Sequence, residues 1–249
     1  MTFSYKNKSC INDVDISFKE HKITTIVGPN GCGKSTLLKL ASRLLRSNDG
    51  SVLLDGKNIF DIKSKDFAKR VAILLQSNRP PSMQVYDYVM SGRYPYTPFS
   101  GRASAEDIDI VERVMKMTNC HKFADRPINK LSGGERQRVF MAMALAQDTD
   151  VIFMDEPTTF LDINVSFEFM ELITTLNKTL NKTIVLVLHD LNLALNYSDY
   201  VVVMNEGKIV AHDKADDIAK KDYISKVFDV KMKKATVDGD EFYLFMPAS

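Results

Sequence analysis

The stretch "GPNGCGKST" (28–36) limits what this chain can fold into more than any other. It follows "KITTIV" (22–27), an apolar, β-branched run of strand character. It precedes Leu37, Leu40, Ala41 and Leu44, which recur at helical spacing to near Arg46. G-x-x-x-x-G-K-[ST] between a strand and a helix is a phosphate cradle. Its glycines let backbone N–H groups turn inward around phosphate oxygens, and the helix N-terminus adds positive potential. Gly28, Asn30, Gly31, Cys32 and Gly33 make the loop, with Lys34, Ser35 and Thr36 at its helical end. Lys34 can reach β- and γ-phosphates, and the Ser35 hydroxyl can ligate Mg²⁺. A chance glycine-rich turn seldom carries every fixed position in this context, so the loop reads as a nucleotide site. Cys32 lies near the helix N-terminus, a setting that can lower a thiol pKa, although an inert loop residue is the plainer reading.

Three further strand ends carry chemistry. "VIFMDEP" (151–157) is a short apolar strand followed by two acids. In a parallel sheet it delivers Asp155 to the carboxyl edge, where open α/β folds bind ligands. Asp155 can join a Mg²⁺ shell, and Glu156 can polarise an attacking water. His189 directly follows "IVLVL" (184–188). A lone strand-end histidine is often structural, but here it points to the same edge and could contact the γ-phosphate or the attacking water, whereas His21, His121 and His212 have no such setting. Gln76 closes "VAILLQ" (71–76), a neutral side chain able to reach Mg²⁺ or water. A second serine–glycine turn stands in "LSGGERQR" (131–138), and one chain has no evident need of two phosphate cradles.

The remaining pattern sets the frame. Val14, Ile16 and Phe18 alternate with polar residues as a strand, and "SVLLDG" (51–56) reads as a strand entering a turn. Together they point to a small antiparallel layer. Residues 77–130 bring several prolines and helical spacing at Ile108, Val111, Val114 and Met115, which mark a helical insert. From Val139 the βα alternation returns, first as a helix to Gln147. A helix over Phe167, Met170, Ile173 and Leu176 follows, then a hairpin turning at Glu206 and Gly207. The tail gives helical spacing from Ile218 to Val227 and a short hairpin through Asp238 and Gly239. Alternating βα units imply a mostly parallel sheet covered on both faces. The expected division is one domain over 1–249, with a core of 1–76 and 139–249 and an insert of 77–138.

A net charge of +1 gives no electrostatic footprint for nucleic acid. No apolar run is long enough to span a membrane, and "MTFSYKNKSC" (1–10) lacks the apolar core of a signal peptide, so a cytosolic chain is expected. The three cysteines form no CxxC pair and read as free thiols.

The ordered set of "GPNGCGKST", Gln76, "LSGGE", "VIFMDEP", "FLD" (160–162) and His189 resembles the ATPase subunit of ABC transporters over essentially the whole chain. That resemblance implies an α/β P-loop NTPase core, an N-terminal antiparallel β subdomain and an inserted helical subdomain. It also implies ATP and Mg²⁺ as cofactors, and a head-to-tail homodimer with each ATP between the phosphate loop of one copy and the "LSGGE" of the other. In that arrangement Ser132, Gly133, Gly134 and Glu135 serve the nucleotide in trans, Leu161 and Asp162 lie at the interface, and Tyr5 stacks on adenine. Permease subunits would dock on the insert, at the membrane's cytoplasmic side, with a substrate-binding protein as an indirect partner. Stretches such as "GRYPYTP" (92–98) and "DEPTTFLDIN" (155–164) are similar to ATPases of iron–siderophore, haem and cobalamin importers. Importers of zinc, manganese or another small solute, and soluble ABC ATPases acting on DNA or translation, stand as alternatives. Two departures from the family appear: few residues precede Tyr5, and His21 stands where a glycine is usual.

Overall fold

The computed structural model describes residues 1–6, 8–75, 82–97, 101–237 and 240–248. The chain opens with an antiparallel pair, β1 (Phe3–Tyr5) and β2 (Lys8–Ile11). Strand β3 (Ile23–Val27), buried throughout, runs into the phosphate loop and helix α1 (Lys34–Ala41). A minimal hairpin of β4 (Leu53–Leu54) and β5 (Lys57–Asn58) and the short helix α2 (Ser64–Ala68) lead to β6 (Val71–Leu74). Helices α3 (Val85–Ser91), α4 (Ala105–Met117) and α5 (Gly133–Ala146) pack on one another as the helical layer. The alternation then runs β7 (Val151–Asp155), α6 (Ile163–Leu180), β8 (Thr183–Val187), α7 (Leu191–Tyr197) and β9 (Tyr200–Asn205). Last come β10 (Lys208–Lys214), α8 (Ala215–Lys220), α9 (Tyr223–Phe228), β11 (Val230–Val237) and β12 (Asp240–Pro247).

The main sheet has the order β10-β9-β3-β8-β7-β6. All its neighbours are parallel except β10, which returns antiparallel on β9 through the expected turn at Glu206 and Gly207. Its strands read as near-continuous apolar runs because both faces are covered. Successive side chains alternate between two cores. Ile26, Phe153, Val185, Val187 and Val202 enter the one holding α1. Val27, Ile152, Met154, Ile184 and Leu186 enter the one holding α5 and α6.

Several expectations change on contact with tertiary structure. The segment around Val14, Ile16 and Phe18 joins no strand ladder. Val14 is buried and Ile16 and Phe18 half-buried, with Asp15 and Ser17 exposed, so the alternation reports packing on a core without strand pairing. Of "SVLLDG" only Leu53 and Leu54 pair, across a turn at Asp55 and Gly56. The antiparallel layer is therefore two separate two-stranded pieces. Helix α5 starts at Gly133, ahead of the expected Val139, and is continuous across the 138/139 division. In α6 the buried stripe uses Phe169, and Phe167 stays largely exposed. The terminal hairpin forms as expected, with Asp238 and Gly239 outside the described residues.

His21 does occupy the left-handed region expected of its glycine position, at φ 58°. Three contacts hold it there. Its N–H donates to Thr183 Oγ1 at 2.9 Å, its carbonyl accepts from Asn177 Nδ2 at 3.2 Å, and its Nδ1 meets the Asn181 carbonyl. They offset the steric cost of a Cβ at that φ, roughly 1–2 kcal/mol.

Gly92, after α3, lets that helix approach α5 closely. A Cβ there would stand 2.4 Å from the Met143 carbonyl oxygen and 3.0 Å from Ala146 Cβ. Gly92→Ala should therefore cost about 1–3 kcal/mol through forced separation of the helices. Urea unfolding of the two proteins measures it, and an unchanged midpoint would mean α3 and α5 yield freely.

Candidate functional site

The parallel register builds the site. Ile26 lies opposite Val187, and Val187 opposite Asp155, so β3, β8 and β7 end level along one sheet edge. The phosphate loop leaves β3, His189 follows β8, and Asp155 and Glu156 close β7. Gln76, expected at the end of β6, lies outside the described residues.

In the loop, Gly33 has φ 108°, and a Cβ on it would stand 2.6 Å from the Cys10 carbonyl oxygen. Only glycine meets both demands. Lys34 is buried, and its Nζ donates to the carbonyls of Gly28 at 2.8 Å and Pro29 at 3.0 Å. Among the described residues it has no salt-bridge partner, so the ammonium retains donor capacity toward an anion. Cys32 is buried against the core, and burial raises its thiol pKa despite the nearby Lys34. Desolvation outweighs the ammonium and the backbone N–H groups, which favours the plainer reading of Cys32 as an inert loop residue.

Ser35 Oγ donates to Asp155 Oδ1 at 2.8 Å, joining the loop to β7 across 120 residues of sequence. Burial raises the Asp155 pKa, opposed by the Ser35 hydrogen bond and then by Lys39. Next along the chain, Glu156 adopts φ 51°, a left-handed conformation unusual for its type. Its Oε1 lies 2.6 Å from His189 Nε2, and its Oε2 accepts from Thr159 Oγ1 at 3.2 Å. Each carboxylate oxygen of Glu156 is thereby oriented. Thr159 escaped the sequence reading, although a hydroxyl three residues beyond a strand-end acid was there to be noticed.

The second turn is built differently. Ser132 caps α5, and a capping box joins it to Glu135: the Glu135 N–H donates to Ser132 Oγ at 3.3 Å, and Ser132 N–H to Glu135 Oε2 at 2.8 Å. The backbone N–H of Ser132 is the main cause holding the Glu135 carboxyl below its usual range. Gly133 and Gly134 pack beside Leu161 and Val165, so this turn neighbours the "FLD" segment of the same chain. No hydrogen bond joins residues 132–135 to the phosphate loop among the described residues. Asp162 is exposed, and Phe160 beside it is 82% exposed with φ 66°. Tyr5 is 44% exposed, its ring edge-on to Phe3 at 4.8 Å.

Among the described residues no group of three or more His, Cys, Asp or Glu could hold a metal unaided. The hard oxygens of Ser35 and Asp155 suit Mg²⁺ that completes its shell with phosphate and water. No described helix is long and apolar enough to cross a membrane.

This fold and this edge define a P-loop nucleoside triphosphatase. Residues 11–159 match the family model for ABC transporter. The iron(3+)-hydroxamate import ATP-binding protein FhuC of Bacillus subtilis (strain 168) is 42% identical over 93% of this chain and 87% of its own. The ferric enterobactin transport ATP-binding protein FepC of Escherichia coli (strain K12) is 38% identical, over 93% and 86%. The ATP-binding cassette MJ0796, solved as a dimer in a post-hydrolysis state with ADP and Pi, superimposes with a TM-score of 0.73 at 28% identity, covering 86% of this chain and 95% of that one. The chain belongs to the ABC transporter family, as a transport ATPase whose nucleotide is ATP.

A carboxylate whose folded pKa lies above its unfolded value favours the fold only at low pH, and that contribution is lost as pH rises through the folded pKa. Asp155→Asn keeps an acceptor for Ser35 and removes the buried charge. It should raise the Tm of the nucleotide-free chain at neutral pH, the gain shrinking on acidification toward the carboxylate range. Thermal melts across pH measure this, and a lower Tm at neutral pH would contradict it.

Proposed function

We propose that this chain is the ATP-binding and hydrolysing subunit that powers an importer of the iron–siderophore class, acting as a homodimer on the cytoplasmic side of the membrane beneath two permease subunits. The observation carrying the reading is the shared edge where Lys34 and Ser35, Asp155 and Glu156, and His189 converge from three adjacent parallel strands. FhuC and FepC, named for iron(3+)-hydroxamate import and ferric enterobactin transport, support the solute class.

In this reading the loop N–H groups and Lys34 hold the β- and γ-phosphates, the Lys34 ammonium exchanging carbonyl partners for phosphate oxygens. Ser35, Asp155 and Gln76 would hold Mg²⁺, which would supply neutralisation of the phosphate charge. Glu156 accepts the proton of the water whose oxygen attacks the γ-phosphorus as the bond to the leaving ADP oxygen breaks. His189 and Thr159 keep its carboxylate aimed, and Tyr5 stacks on adenine. Ser132, Gly133 and Gly134 of the second copy cover the γ-phosphate from the other side, with Glu135 fixing their turn. Asp162 and Leu161 line the same interface. ATP then favours the closed dimer and hydrolysis releases it, a difference in affinity between two states. The insert over 77–138 is the surface that meets the permease, and a substrate-binding protein delivers the solute from the far side.

Glu156→Gln should retain ATP binding, turn over about 10²–10⁴-fold more slowly, and accumulate as an ATP-bound dimer in size-exclusion runs. Parent-like turnover would remove Glu156 from the role of base. Ser132→Arg should bind ATP as a monomer yet fail to dimerise; loss of ATP binding itself would argue against contact in trans. For the importer reading, a tagged chain is recovered from detergent-solubilised membranes and its companions are identified. A polytopic permease supports it, and a soluble partner alone overturns it.

A further inference from the structure

The turn over 92–97 contains a buried charge that ATP chemistry does not use. Arg93 is 4% exposed. Its Nε donates to Asp107 Oδ1 at 2.7 Å, and its Nη1 donates to the carbonyl of Ala146 at 2.8 Å. The guanidinium carbon also lies 3.9 Å from the Tyr96 ring centroid. Asp107 belongs to the first turn of α4, where it forms a capping box with Ser104. Ala146 is the last residue of α5. One side chain thus joins the start of α4, the end of α5 and the turn after α3. Its own carbonyl accepts from Tyr96 N–H at 2.9 Å and from Thr97 Oγ1 at 3.1 Å, fixing the turn that presents Tyr94 at 69% exposure.

An ion pair this buried is a poor way to gain stability, because desolvation consumes most of the Coulomb energy. It is a good way to fix orientation: the planar guanidinium satisfies a carboxylate, a helix-end carbonyl and an aromatic face at once, which an ammonium cannot do. The carbonyl contact also sets positive charge at the negative end of α5. The opposite end of α5, about 20 Å away at 1.5 Å per residue, carries Ser132, Gly133 and Gly134. We propose that Arg93 is a positioning residue that locks the exposed 94–97 turn and the serine–glycine turn of α5 into one rigid body. Pressure on the first then sets the orientation of the second against ATP. Arg93 itself touches neither partner nor nucleotide. The inference rests on the reading that a permease docks on the insert.

The test uses the chain assembled with its permease in lipid vesicles, as parent, Arg93→Lys and the paired Arg93→Met/Asp107→Leu. The pair removes both charges, so no buried charge is left unpaired. Both variants should keep the parent's ATP affinity, KM and permease-free turnover, while permease-dependent stimulation of turnover falls on the order of ten-fold. Parent-like stimulation in a folded variant overturns the inference, and so does a lost affinity for ATP, which would make the clasp a support of the nucleotide site. A parent chain that no permease stimulates overturns the importer reading, and this inference with it, before any variant is compared.

Discussion

The meeting of the phosphate loop, the acid pair and His189 depends on the ladder joining β3, β8 and β7. Its parallel hydrogen bonds bring the phosphate loop, the acid pair and His189 to one edge, although Ser35 and Asp155 are 120 residues apart. Side chains on a strand alternate faces, so a one-residue slip of β7 would reverse Asp155 and Met154, sending the carboxylate into the core behind the sheet. The register is held because both faces are packed: Phe153 has its place in one core, and Ile152 and Met154 in the other. The apolar content of these strands is thus part of the active edge, since packing decides where the polar ends arrive.

That edge holds unfavourable features together. Lys34 is a buried ammonium held by carbonyls, the Asp155 pKa is raised by burial, and Glu156 sits in a left-handed conformation. Such features persist where the surrounding structure over-determines them, and they gather at working sites. In the proposed function a phosphate chain would relieve the first and a divalent cation the second. On that reading the edge would favour its ligands by differential stabilisation.

The two glycine-bearing turns resolve into different devices. The phosphate loop is backed by the sheet and tied to β7 through Ser35. The "LSGGE" turn is closed on itself by its capping box, stands beside the "FLD" segment, and rides on a helix whose far end is clasped by Arg93. The first is complete within one chain. The second, in the proposed function, serves the nucleotide of another copy.

How much of this was legible in the sequence follows from how local each cause is. The phosphate loop, the acid pair, the strand-end histidine and the glutamate–glycine hairpin are set by neighbours a few residues away, so "GPNGCGKST", "VIFMDEP" and the turn at 206–207 could be read directly. The alternation around Val14 was also legible but misleading, because a period of two reports which side is buried and is silent on whether a backbone partner exists. The apolar spacing of α5 begins only near Val139, whereas the capping bond between Ser132 and Glu135 starts the helix at Gly133. The sequence by itself determined which polar residues stand at the ends of β3, β7 and β8 and the βα order that makes a parallel sheet. Tertiary structure alone decided that Cys32 is buried, which raises its pKa, that Thr159 and His189 share the Glu156 carboxylate, and that Arg93 binds Asp107 and the end of α5. Burial, register and helix contact arise between segments distant in sequence, and no local pattern encodes them.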